Sequence, residues 1–298
     1  MKKQNFYHPK FIPTWILIGL MKLGTKLPFK VQVAIGNTMG IAFYPILRRF
    51  RKIAFVNISA CFPNKTHVEV EALVRQNFKA LGISIFETAN TYFATDKKIK
   101  SMLSINNEHY LTDAINKDQS VILLAAHFMP LMLGVRMLLS RRNIASIYRP
   151  QNNALFDKMM RKSSTSRGAL IIKTKDTRAI LKALKNKIPI WYAPDQDLGK
   201  KNCVFAPFFN IQTATVAATA KLANKDNTVV IPYFFIRTKS GYSMNFEAPI
   251  ANYPDNDAVI SASMTNKILE AQILKNPEQY LWVHRRFKTR PDGEPGFY

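Results

Sequence analysis

The chain has 298 residues, 47% of them hydrophobic, and carries 43 Lys and Arg against 19 Asp and Glu for a formal charge of +24. That apolar content supports a packed core and excludes a disordered or collagen-like chain. No run of about 18 apolar residues occurs, which excludes a multi-span membrane protein. The two cysteines, Cys61 and Cys203, neither staple a small fold nor match a zinc spacing.

The charge is uneven along the chain. The first acidic residue is Glu69, and eleven bases precede it, from Lys2 to Lys65. Apolar stretches at 11–21 and 31–47 lie between them, the first too short to cross a bilayer and without a small-x-small cleavage site after it. Residues 1–65 are therefore expected to form an N-terminal, membrane-associated helical segment. Trp15, Phe43 and Tyr44 would sit near the interface, with the bases toward anionic lipid. An ordinary pair of core helices with solvated bases is the alternative. The bases follow no recognisable DNA- or RNA-reading module, so an anionic membrane and not nucleic acid is the expected partner.

From Thr66 onward the pattern is that of an α/β protein. Thr66 and Glu69 make a capping box that opens a helix running to about Phe93. Residues 121–126 read as a buried strand, 131–139 as a helix, 144–148 as a strand and 155–162 as a helix. A short strand follows at 169–172, then a helix capped by Asp176 and ending near Lys187, then a strand at 188–192. A loop to about Asn210, a helix over 213–222, strands at 229–236 and 242–246 and a helix over 257–274 complete the pattern. The predicted fold class is α/β, a helix-covered mixed sheet, mostly parallel, with a membrane-associated helical N-terminus.

Of five histidines, His127 stands out because it directly follows an apolar strand, at the end where α/β sheets build their sites. An imidazole there can serve as a general base on a hydroxyl, or simply finish a strand end. Asp195 and Asp197 follow another strand and could orient a histidine or hold a sugar hydroxyl, or form a turn and a helix cap. Arg149 follows a third strand, so His127, Arg149 and Asp195 are expected to converge at one sheet edge. No Gly-rich phosphate loop, Gly-x-Ser-x-Gly elbow or metal-ligand spacing is found, and no metal or cofactor is expected.

Several longer runs carry a resemblance. Tyr148-Arg149-Pro150, the run from Trp191 to Asp197, Val204 to Phe209, Asn57 to Pro63 and Pro277 to Pro291 together resemble the late acyltransferases of lipid A biosynthesis, the lauroyl-type members most. The resemblance implies an enzyme at the cytoplasmic face of the bacterial inner membrane. It would transfer a fatty acyl chain from acyl-carrier protein to a hydroxyacyl group of a Kdo-bearing lipid A precursor, with residues 66–298 as the acyltransferase domain. The family signature is His-x4-Asp/Glu, in which the carboxylate orients the histidine that deprotonates the acceptor hydroxyl. His127 matches it and Met132 stands where the carboxylate belongs. The resemblance further implies Arg149 as an anion or oxyanion contact and Asp195 as an acid behind the base or on the substrate. Asp197, Arg285 and Arg286 would bind substrate.

A thioether neither accepts an imidazole N–H strongly nor stabilises an imidazolium. Three explanations of Met132 stand open: an inactivating replacement, a relay in which another acid such as Asp195 takes over, or a non-catalytic paralogue that binds lipid or an enzyme partner.

Overall fold

The computed structural model describes residues 6, 8–148, 153–165, 168, 170–173, 176–201, 203–225 and 227–298. Four helices come first: α1 (Ile12–Gly24), α2 (Phe29–Ile46), α3 (Arg48–Cys61) and the long α4 (His67–Phe93). Next come α5 (Asp96–Lys100), β1 (Leu103–Asn106), α6 (His109–Asn116), β2 (Ser120–Leu124), α7 (Leu131–Leu139), β3 (Ala145–Tyr148) and α8 (Ala154–Thr165). β4 (Leu170–Lys173), α9 (Thr177–Lys185) and β5 (Ile190–Tyr192) follow, then a hairpin of β6 (Cys203–Phe208) and β7 (Ile211–Val216). The chain closes with α10 (Ala218–Ala223), β8 (Thr228–Arg237), β9 (Tyr242–Phe246), α11 (Ala258–Lys275) and a terminal segment, 277–298.

Local chemistry sets several of these boundaries. At α4 the capping box closes in both directions: Thr66 Oγ accepts from the Glu69 N–H, and the Glu69 carboxylate accepts from the Thr66 N–H at 2.7 Å. Asp176 caps α9 and Asp257 caps α11 in the same way, each accepting a backbone N–H of the first turn.

Seven strands form one mixed sheet in the order β1-β9-β8-β2-β5-β3-β4, every neighbouring pair parallel except β8 and β9. β2 is central and buried on both faces. Its Ile122 and Leu124 join the core under α3, α4, α9 and α11, while Val121 and Leu123 join the core under α6 and α7.

The helix expected over 213–222 is instead β7 followed by the short α10. Phe209 and Asn210 both take positive φ, 50° and 61°, which makes the two-residue turn whose twist suits a hairpin. Thr213 and Thr215 then alternate inward with β-branched side chains. Short elements outside the expected pattern include β1, α6 and β6, the last within the loop expected to run to about Asn210.

The N-terminal helices are built into this body. α2 crosses α4 where Gly36 and Gly40 meet Gly82 with backbone against backbone: a Cβ on Gly40 would overlap the Phe78 carbonyl, and one on Gly82 the Gly36 carbonyl. Beside the crossing, the buried amides of Gln32 and Asn90 bond each other at 2.8 Å, and Gln32 also satisfies the Gly24 carbonyl at the end of α1. α1 turns Ile12, Trp15, Ile16, Leu17, Leu20 and Leu23 to the exterior. Among the described residues no helix is long and apolar enough to cross a membrane.

The glycine crossing makes a stability prediction. Gly82→Ala forces the two helices apart and should cost about 1–3 kcal/mol, read as a lowered Tm. Gly19→Ala, on the open face of α1 where a Cβ meets nothing, should instead raise stability by about 0.5–1 kcal/mol. Equal melting temperatures for the two variants would contradict this packing.

Candidate active site

The parallel pairing of β2 and β5 puts Leu124 opposite Tyr192. His127 and Asp195 each lie three residues beyond those partners, so the two loops leave the sheet side by side. There the Asp195 carboxylate engages His127 twice. One oxygen lies 2.6 Å from the imidazole Nδ1, and the other accepts the His127 backbone N–H at 2.8 Å. Side chain and backbone are thus fixed by one group.

The pair is asymmetric in exposure: the His127 side chain keeps 23% of its surface open, Asp195 only 1%. Burial alone would push the Asp195 pKa up. The His127 charge, the two hydrogen bonds from His127 and the charge of Arg286 outweigh it and hold the carboxyl at about 2. As an anion, Asp195 can only accept, so Nδ1 donates to it, and the neutral tautomer this selects has its lone pair on the partly exposed Nε2.

The terminal segment closes over this pair as a strap. Leu281 N–H donates to the His127 carbonyl at 3.0 Å, and Phe128 and Tyr280 form a bridge. Two buried amides pin the strap to the helices: Asn77 Nδ2 spans the carbonyls of Glu278 and Tyr280, and Asn57 Nδ2 spans those of Trp282 and His284. The Tyr280 hydroxyl reaches the Asp195 carboxylate, and its own pKa is pushed well up, by burial first and by that charge second. The strap also delivers His284, whose Nε2 accepts the Asp197 N–H at 3.1 Å.

Asp197 and Arg286, expected to bind substrate, occupy interior positions instead. The Asp197 carboxylate is consumed by the Thr289 N–H and hydroxyl at 2.6 and 2.8 Å and by the Gly199 N–H. Arg286 is 2% exposed, donates to the Ala214 carbonyl and Thr215 hydroxyl of the hairpin, and lies over the Phe208 ring. It reaches the site only as a positive charge behind Asp195. Arg285 stacks on the Tyr298 ring, and Arg149 lies outside the described residues. Met132 packs into an apolar cluster with Met21, Tyr92, Phe93, Phe156 and Met160, which does not include His127.

A cleft of about 370 Å³ opens beside Tyr192, between β3, α9 and the end of the hairpin. Ile147, Ile180, Leu198, Val216 and Leu222 make it largely apolar, and Lys201 and Lys221 contribute to its lining. Among the described residues no group of three His, Cys, Asp or Glu is placed to hold a metal ion.

The family model described as bacterial lipid A biosynthesis acyltransferase matches residues 1–289. The chain belongs to that family. It is 34% identical to the lipid A biosynthesis palmitoleoyltransferase of Escherichia coli (strain K12), covering 99% of this chain and 97% of that protein. It is 32% identical to the lipid A biosynthesis lauroyltransferase of the same organism, covering 98% and 96%. A solved structure, the 1-acyl-sn-glycerophosphate acyltransferase of Thermotoga maritima, covers 83% of this chain and 98% of its own, at 12% identity and a TM-score of 0.40. Membership in the lipid A acyltransferase family makes the chain a transferase of lipopolysaccharide biosynthesis.

Sequence reasoning named His127 and Asp195 but missed Tyr280, His284, Asn57 and Asn77. Tyr280, His284 and Asn57 fall inside runs that carry the resemblance and Asn77 outside them, and nothing in their spacing ties any of them to His127.

The Asp195 pKa supplies a pH prediction. Its folded value of about 2 lies below the ordinary carboxylate value, so the contact contributes stability that is complete above about pH 4 and is lost as pH falls through about 2. Urea midpoints of wild type and Asp195→Asn should therefore differ most above about pH 4 and converge toward about pH 2. A gap independent of pH would show that the ionised contact does not hold the loops together.

Proposed function

We propose that the chain transfers a fatty acyl group from acyl-carrier protein to a hydroxyl of a hydroxyacyl chain on a Kdo-bearing lipid A precursor. The observation that carries this reading is the His127–Asp195 contact. With Nδ1 committed to the carboxylate, Nε2 takes the acceptor's hydroxyl proton as the oxygen attacks the thioester carbonyl, and Asp195 stabilises the imidazolium that results. The same imidazolium then returns the proton to the departing thiol. Asp195 thus does what a carboxylate at position 132 would do, and Met132 is free to serve as core.

The apolar cleft beside Tyr192 suits a fatty chain, and Lys201 and Lys221 suit an acidic donor such as a carrier protein. The N-terminal helices support docking on the inner membrane's cytoplasmic face. α1 offers an apolar stripe, Lys22 and Lys26 lie on and just after it, and Lys30, Arg48, Arg49 and Lys52 are further exposed bases on α2 and α3, with no acid before Glu69. Attachment at the interface fits the described helices, none of which is both long and apolar enough to cross a membrane.

Purified protein, carrier-bound acyl thioester and the Kdo-bearing precursor test the chemistry. Asp195→Asn should lower kcat by about 10⁴, as loss of an orienting carboxylate does elsewhere, and His127→Ala by at least as much, because Asp195 acts only through that imidazole. Met132→Glu should lower Tm without raising the rate, because it buries a carboxylate among aromatic and thioether groups. An inactive wild type made active by Met132→Glu would overturn the relay through Asp195 and favour a decayed enzyme.

Cosedimentation with anionic vesicles tests the docking. Each of Arg48→Gln, Arg49→Gln and Lys52→Gln should weaken binding about fivefold, at about 1 kcal/mol per base, and salt should weaken it further. Tighter binding to duplex DNA than to vesicles would reverse the choice of partner.

A further inference from the structure

His284 is the second imidazole of the site, and the Mechanism of the His127–Asp195 pair leaves it unused. Its two nitrogens are committed unequally. Nε2 accepts the Asp197 backbone N–H at 3.1 Å. A backbone amide can only donate, so Nε2 must keep its lone pair and the proton of the neutral ring must sit on Nδ1. Among the described residues no acceptor takes that Nδ1–H.

The surroundings favour the neutral ring. Burial, and after it the charge on His127, push its pKa down, and Arg286 adds to this. Asp195 and Asp197 pull the other way without prevailing, and the Asp197 carboxylate is already consumed by Thr289 and Gly199. The position of the ring is fixed as well. The His284 carbonyl is held by Asn57 at 2.7 Å, and the strap is tied to the His127 carbonyl through Leu281. The site therefore holds one imidazole backed by a carboxylate and one backed by an N–H donor. Opposed environments of this kind assign opposed roles.

We propose that His284 is a further catalytic residue, a neutral electrophile whose Nδ1–H binds the thioester carbonyl oxygen and stabilises the negative charge that develops there. The proposal rests on the acyl-transfer reading above. As the acceptor oxygen bonds to the carbonyl carbon, the C=O π pair moves onto the oxygen facing His284, and the hydroxyl proton moves to His127 Nε2. Collapse restores the C=O bond, breaks the C–S bond and returns that proton from His127 to the thiolate. The Nδ1 proton of His284 is never transferred, so the residue stabilises charge and titrates nothing.

Two conservative variants separate this role from a structural one. His284→Gln places a carbonyl near the Nε2 position and keeps the bond to the Asp197 N–H, but has no donor at Nδ1. His284→Asn places an amide N–H at the Nδ1 position and gives up the Asp197 bond. We expect His284→Gln to lose about 10²–10³ in kcat with KM nearly unchanged, the effect of removing one oxyanion donor, and His284→Asn to recover at least about tenfold of that loss. A Gln variant at the wild-type rate, or an Asn variant no faster than Gln, overturns the proposal.

Nitrogen-15 NMR of the imidazoles in the resting wild type gives a readout that needs no turnover. At about pH 8 the His284 proton should sit on Nδ1, and an Nε2–H ring there overturns the assignment. A wild type that transfers no acyl group brings down the acyl-transfer reading and this role with it. An active wild type with an unaffected Gln variant brings down the role of His284 alone.

Discussion

The Asp195 carboxylate cannot leave its place without disrupting both loops that build the site. It is buried, charged and shared between the ring and the backbone of one residue. A buried anion that loses its partners is costly, so every element touching it is constrained to keep supplying them. β2 and β5 must stay adjacent, the His127 loop must keep its N–H pointed inward, and Arg286 must stay behind the pair as a countercharge. The orientation of the catalytic imidazole is therefore part of the folding problem of the sheet, and no separate adjustment of a loop is required to produce it.

The strap extends the same logic over long sequence distances. Its backbone joins the His127 loop through Leu281 and Tyr280, and side chains of α3 and α4 hold it from the other side through Asn57 and Asn77. Each asparagine spends both amide hydrogens on two carbonyls, which ties an irregular segment down without giving it a strand partner along its whole length. Helices α3 and α4, the sheet and the terminal segment meet at the site as one unit for this reason.

What could be read from the sequence was what is local. The Thr66–Glu69 box, the unbroken apolar run of β2 and the cap at Asp176 all act within a few residues, and each element they announce is present. His127 was legible because a strand exit is a local feature, and Asp195 because the same exit occurs at β5. Their contact was harder to see, since the family spacing points five residues along the chain to Met132, in the first turn of α7, whereas the real partner comes from the loop after the neighbouring strand. The 203–216 hairpin was hidden because its turn uses Phe209 at positive φ, where glycine or asparagine is the usual signal. Asp197 and Arg286 were expected to bind substrate, and only the closing of Thr289 and the hairpin over them makes them interior. Asn57 and Asn77 carried no signal, because amide staples depend on where two distant segments meet.

The glycine crossing of α2 and α4 has a mechanical consequence. Because Gly36, Gly40 and Gly82 let the two backbones touch, no cushion of side chains remains along which one helix could slide or tilt over the other. α4 also carries Asn77, which grips the strap beside His127. The outer face of the N-terminal helices is thus joined to the reactive imidazole by a short stiff linkage. Whatever that face rests on, the distance from it to Nε2 is set by the fold like the length of a gauge block.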